Sequence, residues 1–169
     1  MKKLLSGILL LLAVLPALCQ QTDRYQTDTQ SPEAICNALL ETISVKKGEP
    51  LNWERFHHML LPSMEFIWTG QRNDTAMAVT ITPKQFEERA QYSQHGFKEI
   101  ALHRVVHHYG QIATVVETYK AFSPLKEAPE RGINLYQMVF KENRWWLASL
   151  TWQAEEADNQ LPAEYLPKN

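Results

Sequence analysis

Cysteine is nearly absent from this sequence of 169 residues, which contains only Cys19 and Cys36. Two cysteines cannot build a disulfide framework or a four-cysteine zinc site. A basic surplus is missing too, because 17 Lys and Arg stand against 19 Asp and Glu, for a formal charge of −2. A protein that binds nucleic acid through phosphate contacts would carry such a surplus. We therefore expect no nucleic-acid partner.

Glycine is scarce as well, and the six glycines never form the G-x-G-x-x-G spacing of a dinucleotide-binding loop. The sequence contains no P-loop and no nucleophile elbow. The six histidines form neither HExxH nor His-x-His. His103 and His107 would stand about 13 Å apart on an extended strand, too far to share one metal ion. We expect no metal and no cofactor.

The N-terminus has the features of a targeting signal. Lys2 and Lys3 precede a mostly apolar stretch over residues 4–15, and a polar segment begins at Gln20. This order is typical of a secretory signal peptide. The apolar stretch is shorter than the roughly 20 residues of a bilayer span. We expect an exported protein, periplasmic or secreted, that is cleaved near Cys19-Gln20.

Cleavage at this point would remove residues 1–19 and change the formal charge to −4, because two lysines leave with the signal peptide. One alternative is an uncleaved N-terminal anchor. Another is a lipid anchor on Cys19, although Leu18 is larger than the residue that usually precedes a lipidated cysteine. Cleavage after Cys19 would leave Cys36 as the one cysteine, whereas lipidation would retain Cys19 as well. Cys36 lies at helical spacing among apolar residues and is interpreted as a core residue.

The rest of the chain is predicted to be one domain. Residues 20–30 are polar without periodicity, which is typical of a flexible leader. Residues 31–169 contain neither an internal repeat nor a linker. A mature chain of about 150 residues is long enough to bury roughly 70% of its unfolded surface.

Helices are predicted first and strands later. Ser31, Asn52 and Thr82 are N-cap residues, and each is followed by apolar residues at helical spacing. The predicted strands cover 64–68, 97–109, 112–122, 133–140 and 144–153, with turns at 70–75, at Gly110 and at Glu142-Asn143. This order predicts an α+β fold with N-terminal helices packed on a strongly curved antiparallel sheet.

Several short strings carry a resemblance to a known family. They are Gly96-Phe97-x-Glu99, His103-Arg104, Tyr109-Gly110-x-Ile112-Ala113, Thr118-Tyr119, Arg131-Gly132-Ile133-Asn134, Arg144-Trp145-Trp146, Trp152-x-x-Glu155 and Leu161-Pro162-x-x-Tyr165-Leu166. In this order they resemble uncharacterised secreted bacterial members of the SnoaL-like branch of the NTF2-like, cystatin-like cone fold. The resemblance implies a cavity inside the cone and a homodimer formed through the sheet. It implies no single activity.

Strand parity predicts which residues line that cavity. A two-residue turn at Glu142-Asn143 pairs Phe140 with Trp145 and Tyr136 with Ser149. One face then carries Asn134 and Tyr136, and we assign it to the cavity. The other face is continuously apolar, and we assign its residues Trp146, Leu150 and Trp152 to a dimer interface or to contact with a covering element. The reverse assignment of the two faces remains an alternative.

The first long hairpin supplies the remaining candidates. Similarity to other cone proteins favours Glu117 and Tyr119 on the cavity side. Depending on the length of the loop, either Arg104 or His103 lies opposite Glu117, and either one would offset the cost of a buried carboxylate. The predicted ligand pocket therefore contains Trp68, Arg104, Glu117, Tyr119, Asn134 and Tyr136.

Three functions are compatible with these features. The first is binding of a small, partly apolar ligand in the cone. The second is an isomerase, dehydratase or hydrolase activity in which Glu117 or His103 acts as acid or base. The third is a protein-interaction module that uses the face bearing Trp146 and Trp152.

Overall fold

The computed structural model of the chain describes residues 24–73 and 75–167. Its helices are α1 (Pro32–Ile43), α2 (Trp53–His58), α3 (Pro83–Arg89) and α4 (Tyr92–His95). Its strands are β1 (Leu60–Arg72), β2 (Thr75–Ile81), β3 (Lys98–Tyr109), β4 (Ile112–Phe122), β5 (Glu130–Lys141) and β6 (Arg144–Ala154). The predicted signal peptide and its cleavage point lie outside the described residues. Within the described ranges, no helix is long and apolar enough to cross a bilayer.

The three predicted helix starts are confirmed by their caps. The Ser31 and Asn52 side chains accept hydrogen bonds from backbone N–H groups of the first turns of α1 and α2. Thr82 and Gln85 form a reciprocal capping box at the start of α3. Helix α2 ends at His58, because β1 begins at Leu60 and runs through Pro62. The short α4 and strand β2 were not predicted.

The strands form one curved, unclosed sheet in the order β2-β1-β6-β5-β4-β3. The predicted α+β class is confirmed. Neighbouring strands are antiparallel except β1 and β6, which are parallel. Helix α1 packs on β3, β4 and β6, and we call the face that it covers the inner face. The apolar stripe of α1 joins this core, with Ile35 and Leu39 no more than 2% exposed.

A β-bulge changes the register of the last hairpin. Phe140 pairs with Trp145 as predicted, but Ala148 has no partner on β5, so Tyr136 pairs with Leu150 instead of Ser149. One extra residue reverses the side to which all later side chains point. Leu150 therefore lies on the inner face.

Two of the three residues assigned to a dimer interface are thus on the opposite side of the sheet. Leu150 is 8% exposed in the core, and Trp152 packs against the same core. Trp146 remains on the outer face, where its Nε1 donates to the Lys141 carbonyl and its ring stacks under the Arg144 guanidinium. The continuous apolar face that parity predicted does not form, because the bulge divides it.

Both ends of the described chain pack on the domain. Residues 24–30 were expected to be flexible, but Tyr25 and Thr29 are buried and Arg55 forms a bidentate pair with Asp28. At the other end, the Thr118 hydroxyl donates to the Tyr165 carbonyl. The C-terminal tail therefore covers the outer face of β3 and β4.

Candidate functional site

The inner face brings three glutamates from adjacent strands close together. In register, Glu99 of β3, Ala121 of β4 and Glu130 of β5 form one row across the sheet. Further along the strands, Glu117 of β4 lies beside Arg104 of β3. These carboxyl groups differ in their hydrogen-bond and ion-pair partners, and the partners determine whether a carboxylate oxygen is free to bind another molecule.

Glu117 is fully buried, and both of its carboxylate oxygens accept hydrogen bonds. Arg104 Nε donates to its Oε2 at 2.5 Å. The Tyr136 hydroxyl donates to its Oε1 at 2.8 Å, and Asn134 Nδ2 lies 3.2 Å from the same oxygen. A buried carboxylate is tolerated when a cation and hydrogen bonds compensate its lost hydration. Glu117 therefore anchors the wall behind the cavity and is not among the residues that line it.

The predicted alternative of His103 opposite Glu117 is wrong. A bulge near Leu102 pairs His103 with Thr118 and Arg104 with Glu117. Adjacent residues on a strand point to opposite faces, so His103 lies on the outer face. The two candidate acid–base residues are therefore on opposite sides of the sheet.

Glu99 is the residue that the sequence analysis missed as a candidate. Asn134 Nδ2 donates to its Oε1 at 2.8 Å. No described residue donates to its Oε2, and no described Lys, Arg or His forms an ion pair with it. Its pKa is raised from 4.5 to about 7, chiefly by burial and also by the charges of Glu117 and Glu130, against the opposing hydrogen bond from Asn134.

The cavity has an inner and an outer chamber that adjoin. The inner chamber has a volume of about 150 Å³ and the outer one about 350 Å³. They share the lining residues Phe86, Tyr92, Phe97, Ala121, Glu130 and Trp152. An apolar cavity of roughly 150 Å³ holds a molecule the size of benzene. The inner chamber therefore has the volume of a single ring or a short branched chain.

One glycine shapes the polar end of the inner chamber. The Tyr119 ring lies across Gly132 of β5, so that a Cβ at this position would come within 2.7 Å of the ring. In this position the Tyr119 hydroxyl donates to Glu130 Oε1 at 3.1 Å. Glu130 also pairs with Lys126 at the edge of the outer chamber. Burial is the main reason that the pKa of Tyr119 is raised, so its phenol stays protonated.

The structure separates the predicted pocket residues into two groups. Tyr119, Asn134 and Tyr136 line the inner chamber. Arg104, Glu117 and Trp68 line neither chamber. Trp68 points to the inner face beyond the cavity, where its indole lies over Gly70.

Alternation along β3 does not reveal Glu99. Counting back from Arg104 by twos would miss it, because the bulge near Leu102 shifts the parity by one. The string Gly96-Phe97-x-Glu99, which contributed to the family resemblance, was the only signal for this residue in the sequence. Within 24–73 and 75–167, no three His, Cys, Asp or Glu residues are grouped so that they could hold a metal ion.

Comparisons with solved structures support the fold. No family model and no curated protein matches the chain. An NTF2-like protein of unknown function from Pseudomonas putida superposes with a TM-score of 0.58 at 8% identity, over 81% of this chain and 92% of its own. An NTF2-like protein from Cytophaga hutchinsonii gives 0.56 at 10% identity, over 73% and 98%. A cystatin-like protein of unknown function from Nostoc punctiforme gives 0.54 at 6% identity, over 74% and 89%.

Proposed function

We propose that this NTF2-like domain binds a small ligand that has an apolar body and a polar group directed at Glu99. The observation that carries the proposal is a cavity with aromatic and aliphatic walls that ends in a carboxyl group with an unfilled hydrogen-bonding position. Ligand sites commonly combine an apolar wall with a few convergent polar groups. The polar end fixes orientation, while the walls supply most of the buried apolar area.

Catalysis at the two residues named from the sequence has weaker support. Glu117 is fully buried and holds three hydrogen-bond donors, so it has no free oxygen to offer a substrate. His103 is on the other face of the sheet.

An interaction module that uses Trp146 and Trp152 together also has weaker support. The two side chains lie on opposite faces of the sheet, so one partner surface cannot contact both.

The ligand-binding proposal can be tested by filling the cavity. Ala121 lines both chambers and is 7% exposed. Fragments that bind the unmodified domain are first identified by ligand-observed NMR, and their affinities are then measured for Ala121→Met. We expect at least a tenfold loss. Ala78→Met on the exposed side of β2 is the matched control and should bind normally. Fragments that bind Ala121→Met as well as the unmodified domain would refute the proposal.

We also propose that the chain is exported and cleaved near Cys19-Gln20. The order of charged, apolar and small residues at the N-terminus supports this. Mass spectrometry of the protein expressed with its leader in a bacterium gives the mature N-terminus. A mass that begins at Gln20 supports the proposal, while a diacylglycerol adduct on Cys19 identifies a lipoprotein.

A homodimer through the outer face of the sheet is the remaining proposal. Ile112 and Leu135 are 58% and 41% exposed there, and both are large apolar side chains. Light scattering coupled to gel filtration measures the mass in solution. We expect a dimer that Leu135→Lys converts to a monomer, and a monomeric unmodified chain would exclude this assembly.

A further inference from the structure

We infer that the inner chamber selects a small organic ammonium ion, whose N–H groups are held by the free carboxylate oxygen of Glu99. This inference rests on the proposed ligand-binding function and adds the chemical class of the ligand. It is carried by the hydrogen bonds, the charges and the size of the chamber.

Three polar side chains that line the inner chamber, Tyr119, Asn134 and Tyr136, already donate their hydrogens to carboxylates. The Tyr119 hydroxyl donates to Glu130, and the Tyr136 hydroxyl donates to Glu117. The Asn134 amide nitrogen has two hydrogens and lies within 3.2 Å of both Glu99 and Glu117. What these groups leave for a ligand at Glu99 is an acceptor, so a ligand that donates hydrogen bonds fits better than one that accepts them.

The charge balance points in the same direction. Glu117 is paired with Arg104, and Glu130 is paired with Lys126. Glu99 lines the chamber and has no cationic partner among the described residues. An ammonium group beside Glu99 would complete the third pair in a site of low polarity, where charge-assisted hydrogen bonds are strong. A carboxylate ligand would instead be repelled there.

The remaining charged and titratable groups do not reverse this preference. Arg89 and His95 line the outer chamber, and Arg89 is exposed to solvent that screens its charge. Burial raises the pKa of the Tyr92, Tyr119 and Tyr136 phenols, so all three are neutral at physiological pH. Glu99 is therefore the unbalanced charge of the inner chamber once it is ionised.

The walls specify the rest of the ligand. Leu39, Leu150 and the rings of Phe86, Tyr92 and Phe97 surround the inner chamber. Tyr92 and Phe97 are stacked with their centroids 4.3 Å apart, which makes one side of the chamber rigid. A volume of about 150 Å³ leaves room for one benzene-sized group beside the ammonium.

Three probes share one aromatic ring and differ in the charge of their polar group: benzylamine, benzyl alcohol and benzoate. Their affinities therefore report the effect of charge at nearly constant size. Calorimetric or NMR titration at pH 8 should show benzylammonium binding at least tenfold more tightly than benzyl alcohol, with benzoate weakest. Glu99→Gln should reduce the affinity for benzylammonium to that for the alcohol. Ala78→Met is the control that leaves all three affinities unchanged.

The pH dependence gives a second readout. Below the pKa of Glu99, about 7, a proton competes with the ammonium, so the affinity for benzylammonium should fall as the pH decreases from 8 to 6. The affinity for benzyl alcohol should change little over the same range. In Glu99→Gln, the affinity for benzylammonium should no longer fall between pH 8 and pH 6.

Equal affinity for the ammonium and the alcohol, or no binding of benzylammonium while other fragments bind, would overturn the inference. In that case, fragments whose binding is lost in Ala121→Met would still support the proposed ligand-binding function. If no fragment binds the unmodified domain at all, the ammonium inference and the proposed ligand-binding function both fail.

Discussion

Arg104 and Glu117 occupy paired positions on β3 and β4, and the guanidinium Nε lies 2.5 Å from the carboxylate Oε2. This pair neutralises a fully buried charge without facing the cavity. Glu99, on the same strand as Arg104, faces the cavity and lacks such a pair. The two buried glutamates therefore have separate roles, and the following predictions test them individually.

Removing Arg104 should destabilise the fold. Arg104→Met leaves the Glu117 carboxylate buried without a cation, and breaking a buried pair in this way costs about 3–5 kcal/mol. Urea denaturation measures the free energy of unfolding. Arg131→Met is the control, because its bidentate pair with Glu155 is more exposed and should lose only about 1 kcal/mol or less. Similar losses in the two variants would contradict a structural role for Glu117.

Glu99 should make the folded state less stable as the pH rises. Its folded pKa of about 7 exceeds the ordinary value of 4.5, so the folded state holds this proton more tightly than the unfolded state. The stabilisation is fully present below pH 4.5 and is lost by about pH 7, with a magnitude on the order of 3 kcal/mol. The difference in unfolding free energy between the unmodified protein and Glu99→Gln should fall by this amount across that range.

Glu88→Gln is the control for the pH experiment, because its carboxylate is exposed on α3. Its replacement removes an exposed carboxylate, so it should change the unfolding free energy little. A flat profile for Glu99→Gln as well would show that Glu99 titrates as an ordinary carboxyl group.

Gly132 should not tolerate a side chain. In Gly132→Ala the new methyl group would collide with the Tyr119 ring and the Gln153 carbonyl, which belongs to the neighbouring strand β6. Overpacking of this kind costs roughly 1–3 kcal/mol. Thermal unfolding should show a lower melting temperature than for Gln137→Ala, an exposed position of the same strand. An unchanged melting temperature would mean that the Tyr119 ring can move away.

The register after the bulge at Ala148 should be essential. Deleting Ala148 removes only the extra residue, so Ser149 still pairs with Gln137 and Leu150 with Tyr136, and this variant should fold. Inserting one alanine between Ser149 and Leu150 instead turns Leu150 and Trp152 towards the outer face. The core then loses Leu150, which is 8% exposed, and we expect a loss of at least about 3 kcal/mol or failure to fold. Circular dichroism with urea unfolding compares the deletion with the insertion, and equal stability of the two would contradict the prediction.

Much of the fold was predictable because its signals are local. The caps Ser31, Asn52 and Thr82 bind backbone N–H groups within their own first turns, so a few neighbouring residues determine where each helix begins. The turn at Glu142-Asn143 has positive φ at both residues and needs no distant partner. These local signals were enough for the α+β class and for the order of all the main elements except β2 and α4.

The β1–β2 hairpin and the pocket were predicted less well. Asn73 provides the positive-φ turn, but the strands on either side of it are stabilised by pairing with each other and with β6. Trp68 was expected in the pocket, and its position over Gly70 depends on how far β1 extends. Short apolar segments do not reveal this extension until their partners are known.

The sequence by itself determined the composition, the local starts and turns, and the presence of glutamates on strands that become neighbours. Only the tertiary structure decided which of these glutamates faces the cavity. Bulges near Leu102 and at Ala148 reverse strand parity, and such shifts are set by packing between distant segments. The same packing supplies Arg104 to Glu117 and leaves Glu99 without a cation. A pKa depends on burial and on nearby charges in space, so no count along the chain could separate the two residues.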